Sequence, residues 1–284
     1  MDELPVASTT EKAVQAYLKS PSAVLVLHGP AGVGKRAVAE RILADILQVV
    51  QDKLITYPYL VLVEPDKDSI SIDQVRSLQS ALIRSVPGTQ LIRRAVLVRN
   101  AQKLTTEAQN ALLKSLEEAP ADTVFILCVD NLHNLLSTVV SRAQPLAVLP
   151  ITEEIAKQFF GDTSEVTKAY HMSGGRAELL RALLEDEDHP MLANIDEAKT
   201  VLQKTTYERL LLVNDLAKDK PATEDLLEAL LLLARISLTT SVNNHKTDQA
   251  KRWHKIIKLV TAAQTSMSKN AGTKLVMTDL FLHL

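Results

Sequence analysis

Residues 27–36 read LHGPAGVGKR. Gly29, Gly32, Val33, Gly34 and Lys35 fall on the Gly-x-x-x-x-Gly-Lys spacing of a phosphate-binding loop. In such a loop the backbone N–H groups of residues 32–35 face inward at the start of a helix. Unsatisfied donors and the helix dipole together attract phosphate, and Lys35 is placed to reach the terminal phosphates. The full spacing, between an apolar run and a helical pattern, is more than a glycine turn joining two elements requires. The position after the lysine breaks the pattern. It calls for a Ser or Thr hydroxyl to hold Mg²⁺, and here it is Arg36.

A second position fails in the same way. Hydrolysis needs an acid pair at the end of a neighbouring strand, one acid to steady the metal and one to orient water. The candidate strand covers 95–98 and is followed by Arg99 and Asn100. Two cations, Arg36 and Arg99, are therefore expected where a metal cation would sit. Loss of a general base alone costs about 10²–10⁴ in rate. The residues predict a phosphate-loop fold without hydrolysis, with any ATP or ADP held weakly and without Mg²⁺. No metal ligand is assigned.

Regular elements must position this loop. The apolar runs 23–27, 59–63, 95–98, 123–129 and 146–149 lack polar alternation, as strands buried on both faces of a parallel sheet do. Helical periodicity separates them. Over 35–50 the apolar positions are Val38, Ile42, Ile46 and Val50, with Leu43 and Leu47 beside them. Over 71–85 they are Ile72, Val75, Leu78 and Leu82. Over 105–119 they are Ala108, Leu112 and Leu116, behind a capping-box pattern read at Thr106 and Gln109. Strands alternating with helices predict a doubly wound α/β domain.

Beyond Pro150 the strand signal stops and short helices are expected at 152–160, 165–171 and 176–184, with Gly174-Gly175 between the last two. The charged run 185–190, ending in Pro190, reads as a linker. Helices follow over 195–202, 207–218, 224–238, 246–267 and 274–284. The expected division is 1–150 for the phosphate-loop domain, 151–190 for a small helical domain and 191–284 for a helical bundle.

Composition sets the outer limits. The chain has 284 residues, 46% hydrophobic and 23% charged, with a formal net charge of −2. It can bury a core, and its overall charge does not make it a polyanion binder. One cysteine, Cys128, excludes an internal disulfide and a multi-cysteine zinc site. It lies in an apolar strand run and reads as a small buried hydrophobe. The first ten residues lack the pattern of a signal peptide, and the run 226–233 is interrupted by Glu228 and too short to span a bilayer. A soluble cytoplasmic protein with no membrane partner is expected.

Longer stretches carry a resemblance. Residues 99–105 (RNAQKLT), 110–120 (NALLKSLEEAP), 123–127 (TVFIL) and 134–144 (NLLSTVVSRAQ) resemble the AAA+ subunits of bacterial DNA polymerase III clamp loaders. The likeness is clear over about 23–180 and returns weakly at Asn270, Lys274-Leu275 and Leu280-Phe281-Leu282. Within that family it is closest to the delta-prime type, whose nucleotide site is degenerate.

The resemblance implies a P-loop AAA+ parallel-sheet domain, a small helical lid domain and a C-terminal helical collar domain. It matches Gly29, Gly32, Gly34 and Lys35 to the phosphate loop, with Val33 and Arg36 inside it. Arg142 matches an arginine finger that acts in trans on a neighbour's γ-phosphate, with Ala143 replacing the family's usual Cys. Arg176 matches the lid's sensor-2 arginine. Val129 falls where the family carries a sensor-1 Thr. The four-cysteine zinc module of many members is missing, because 48–57 is short and cysteine-free.

As partners the resemblance implies other clamp-loader subunits in a hetero-oligomeric ring, the sliding clamp, and primer–template DNA bound without sequence specificity. Arg76 and Arg84 are the candidate phosphate contacts. The basic C-terminal segment holds Lys246, Lys251, Arg252, Lys255, Lys258, Lys269 and Lys274. By composition these read as a solvated helix face, and by the resemblance as a collar packed on sister subunits. Trp253 reads either as an anchor of that interface or, more often for a lone Trp, as core. The leading expectation is a non-hydrolysing subunit that lends Arg142 to a neighbour. The competitors are an active AAA+ ATPase recruiting Glu117 or Glu118 as its acid, and an AAA+ adaptor outside replication.

Overall fold

The computed structural model describes residues 4–186, 189–268 and 271–284. The chain divides into two compact units. The first holds residues up to Asp162 together with Gly175–Leu179, and the second holds Thr163–Gly174 and Leu180–Leu284.

The first unit is built on a parallel five-stranded sheet. Its strands are β1 (Val24–His28), β2 (Leu60–Val63), β3 (Arg94–Val98), β4 (Thr123–Val129) and β5 (Gln144–Ala147), in the spatial order β2-β3-β4-β1-β5. Side chains alternate across the sheet. Val124, Ile126 and Cys128 of β4 face α1 (Ser8–Lys19) and α2 (Lys35–Leu47). Phe125, Leu127 and Val129 face α3 (Ile72–Leu82) and α4 (Thr106–Glu117). With both faces covered, every residue of β4 is buried, so its sequence reads as one continuous apolar run.

The helices are held by the stripes the periodicity predicts, with two corrections. Helix α2 stops at Leu47, because Gln48 turns left-handed at φ 55°. Val38, Ile42, Leu43 and Leu47 are in the core, but Val50 lies outside the helix and is exposed. The capping box expected at Thr106 and Gln109 does not form. The cap is Thr105, whose hydroxyl accepts from the Ala108 N–H, since Thr105 is extended and bonded to Ile70 as the chain leaves a short ladder. Gln109 instead donates to the carbonyls of Leu104 and Asn134 and accepts from the Leu136 N–H. Complete capping boxes occur at Ser71 with Gln74 on α3 and at Thr205 with Glu208 on α10 (Thr206–Leu216). The unit also contains α5 (Ser137–Val140) and α6 (Glu153–Phe160). Helix α8 (Ala177–Glu185) begins within it.

The second unit is helical. It comprises α7 (Ser164–Ser173), most of α8, α9 (Pro190–Gln203), α10, α11 (Lys220–Asn243), α12 (Thr247–Ser268) and α13 (Thr273–His283). Leu227, Leu230, Val260, Met277 and Phe281 are at its centre, and the half-buried Trp253 packs against that core. Buried Arg209 donates to the carbonyls of Val201 and Leu202, a cation on the carbonyl end of α9. Of the charged run 185–190, Pro190 opens α9 and His189 caps it. Glu187 and Asp188 lie outside the described residues, as do Lys269 and Asn270.

Candidate functional site

The glycine loop leaves the carboxyl end of β1 and enters α2. Each glycine answers a local demand. The Val148 N–H donates to the His28 carbonyl at 2.7 Å, which draws the Val148 carbonyl so close that a Cβ on Gly29 would stand 2.2 Å from it. Gly32 and Gly34 have φ of +74° and +97°, where a side chain is strained. Val33 is buried in the core beneath the loop.

Lys35 is only 8% exposed, and all three of its ammonium protons have partners. Its Nζ donates to the carbonyls of Gly29 at 2.7 Å and Pro30 at 3.0 Å, and to Asp130 Oδ1 at 2.8 Å. The second oxygen of Asp130 accepts from Gln102 Nε2 at 2.7 Å. The loop's carbonyls are also engaged. Gly32 accepts the N–H groups of Glu178 and Leu179 in the first turn of α8, and Ala31 accepts from Arg176 at 3.4 Å. Arg176 thus meets the loop backbone directly.

Asp130 is the residue that sequence reasoning missed. Val129 is fully buried among the residues that face α3 and α4, whereas Asp130, just beyond the end of β4, is bonded to Lys35. Strand alternation was the available signal, because the polar residue just past an apolar strand is free to turn toward the loop.

The two arginines also differ from expectation. Arg36 and Arg99 do not stand as uncompensated cations. Arg36 Nε donates to Glu40 Oε1 at 2.8 Å, and Arg99 bridges Glu40 and Glu64. Glu40 has no solvent exposure, and its Oε2 has no hydrogen-bond partner. Three cations (Lys35, Arg36, Arg99) therefore face three carboxylates (Glu40, Glu64, Asp130), and repulsion of a metal by bare positive charge is not the operative effect. The groups that would meet a magnesium nucleotide in such a loop are replaced or already engaged. No hydroxyl follows Lys35, the Glu40 carboxylate is held by two guanidiniums, and Asp130 already holds the lysine. His28, at the mouth of the loop, has its pKa lowered by burial and then by Lys35. A nearby cavity of about 140 Å³, lined by Leu4, Val38, Arg41 and Phe159, is smaller than the roughly 300 Å³ where small-molecule sites begin.

Arg142 lies elsewhere. It is exposed, two residues before β5, and Gln144 opens that strand opposite Leu25 of β1. Since β1 and β5 are parallel, Arg142 is at the amino end of the strands, while Lys35 follows their carboxyl end. Its guanidinium donates to the Thr138 carbonyl at 2.9 Å and to Ser141 Oγ at 3.4 Å, and it pairs with Glu117 at 2.5 Å. Glu117 and Glu118 end α4 at that same pole, remote from the loop. Arg76 pairs with Asp73 on α3, and Arg84 is exposed after it. Among the described residues no group of three His, Cys, Asp or Glu side chains is arranged to hold a metal ion, and no helix is long and apolar enough to cross a membrane.

Strand order, glycine loop and flanking helices define a P-loop α/β domain of the AAA+ type. Residues 11–152, half of the chain, match the family described as DNA polymerase III, delta subunit, and the chain belongs to that family. It is 37% identical over 134 residues to the DNA polymerase III subunit delta' of Pseudomonas aeruginosa, covering 41% of this chain and 40% of that one. It is 28% identical over 197 residues to the subunit of the same name from Bacillus subtilis, covering 66% and 59%. The chain therefore spans about two fifths to three fifths of the length of these relatives. A crystal structure of a DNA polymerase III gamma subunit-related protein from Thermotoga maritima superposes with a TM-score of 0.49 at 17% identity, covering 97% of this chain and 98% of that one.

Proposed function

We propose that this chain is a delta-prime-type clamp-loader subunit that hydrolyses no ATP in its own loop and supplies Arg142 to the nucleotide site of a neighbouring subunit. The observation that carries this reading is the placement of Arg142 and Lys35 at opposite ends of the sheet. Five residues of β1 span roughly 15 Å at about 3.3 Å each. One arginine side chain does not bridge that distance, so a phosphate met by Arg142 belongs to another chain. A guanidinium delivered in this way is worth about 10³–10⁵ in rate.

The reading carries the rest of the assignment with it. The chain works in the cytoplasm within a hetero-oligomeric ring, assembled through a helical collar, that places a sliding clamp on primed DNA. Contacts to that DNA are phosphate contacts without base readout. Arg176, whose guanidinium meets the Ala31 carbonyl of the loop, is the lid's sensor-2 arginine for whatever nucleotide the loop holds. The loop holds ATP or ADP weakly at most and without Mg²⁺, and zinc plays no part.

The test is ATP turnover by the co-purified assembly with wild-type chain or Arg142→Ala. Turnover should fall by at least two orders of magnitude with Arg142→Ala, while the isolated wild-type chain turns over nothing. Unchanged turnover in the variant assembly would refute the reading.

A second reading has one observation in its favour. Asp130 beside Lys35 is a carboxylate of the kind an active ATPase needs. Glu117 and Glu118 do not serve that reading, because they lie at the other pole.

A further inference from the structure

Asp130 faces Lys35 in a way that ordinary loop bracing does not require. Two carbonyls, of Gly29 and Pro30, already tie the ammonium to the loop. The third proton goes to a carboxylate 95 residues away in sequence, just past the end of the neighbouring strand. That carboxylate is itself fixed from the other side by Gln102, whose Oε1 is buried without a partner. Gln102 thus spends its amide on holding Asp130 and gains nothing for its own oxygen. The arrangement positions one anion on one cation at the spot where a phosphate oxygen meets the lysine of such a loop.

We propose that Asp130 is a built-in substitute for nucleotide phosphate. Its carboxylate neutralises Lys35 and puts an anion where a phosphate oxygen of an incoming polyphosphate would have to sit. This rests on the reading of the loop as non-hydrolysing and gives its physical cause. The loop is silent because an internal anion fills its phosphate position, and missing metal ligands are only part of the reason. A phosphate entering the site must displace a charge-assisted bond and then lie beside the displaced carboxylate. Like charges so placed repel, so removing the carboxylate should tighten binding about tenfold or more. Metal is not part of the gain, since Arg36 still stands where the hydroxyl would be.

The experiment is calorimetric titration of the full chain with ATP and with ADP, each with and without Mg²⁺. The samples are wild type, Asp130→Ala, Asp130→Asn, and Asp130→Ala combined with Lys35→Met. Thermal melts show which variants are folded, and Asp130→Asn, which keeps the shape and gives up the charge, serves if Asp130→Ala does not fold. The expected result is nucleotide affinity at least tenfold above wild type in the single variants, equal with and without Mg²⁺, and lost again in the double variant. Folded single variants that bind no better than a silent wild type overturn the proposal and leave the non-hydrolysing reading intact. Tight Mg²⁺-dependent binding and turnover by wild type, abolished by Asp130→Asn, overturn both, and Asp130 is then the acid of a working ATPase.

Discussion

Arg99, just beyond β3, is bonded to the fully buried carboxylate of Glu40 on α2. With Arg36 and Glu64 this pair closes a network over the place where a working P-loop enzyme keeps its metal. A buried charge that loses its partner is expensive, whereas an intact pair is nearly neutral. Glu40→Ala strands Arg99 at 12% exposure with Glu64 as its remaining carboxylate. It should cost about 3 kcal/mol or more. Urea denaturation monitored by circular dichroism reads this as a lowered midpoint.

Gly29 admits no side chain. The Cβ of an alanine would meet the Val148 carbonyl at 2.2 Å, and that carbonyl belongs to backbone that cannot swing away without breaking the bond from Val148 to His28. Gly29→Ala should destabilise the first unit by about 3 kcal/mol or more, at the upper end for overpacking. Gly32→Ala, at a φ of +74° but against the Leu179 side chain at 3.1 Å, should cost less. Melting temperatures of the two variants, compared side by side, check the order.

Arg142 separates stability from function. It is exposed, and its pairing with Glu117 is a surface ion pair worth at most about 1 kcal/mol. Arg142→Ala should therefore leave the denaturation midpoint of the isolated chain almost unmoved while lowering turnover of the assembly. Arg142→Lys keeps the charge but loses the planar fork, so it should recover only part of that turnover.

The buried thiol and a buried phenol make the chain sensitive to base. Burial pushes Cys128 up to about 12 and Tyr17 up to about 12, both above their ordinary values of 9.0 and 10.0. A raised pKa means that the folded state holds its proton longer than the unfolded chain. The stabilisation is complete below the unfolded pKa and is lost as pH rises toward the folded one. For Cys128 the loss runs from about pH 9 to 12 and approaches 1.4 kcal/mol per pH unit. Cys128→Ala should postpone the onset of alkaline destabilisation by about one pH unit, to where Tyr17 begins to contribute. Folded wild type at pH 8 should also resist thiol alkylation until denaturant is added. Denaturation curves across pH 8–11 and an alkylation time course provide the two measurements.

Much of the molecule was legible before folding was considered. Continuous apolar runs marked β1, β3 and β4 because a parallel sheet covered on both faces leaves no polar side. The glycine–lysine spacing marked the loop because its backbone angles and close approaches tolerate little else. The helices of the second unit were expected because the apolar strand runs stop beyond Pro150. Local rivalry hid the cap of α4, since Thr105 and Thr106 are chemically equal candidates and only the ladder to Ile70 selects the first. Which charges meet is a separate matter that no local pattern contains. Lys35 with Asp130, Arg99 with Glu40, and Arg142 with Glu117 are separated by 95, 59 and 25 residues, and each pair is set by strand order and by the end of the sheet at which its elements stop. Sequence alone therefore determined that the glycine–lysine spacing is present and that Arg36 stands where a hydroxyl would follow it. Tertiary structure decided which carboxylates meet Lys35, Arg36 and Arg99, because a cation's partner depends on which distant acid the fold brings within a few ångströms.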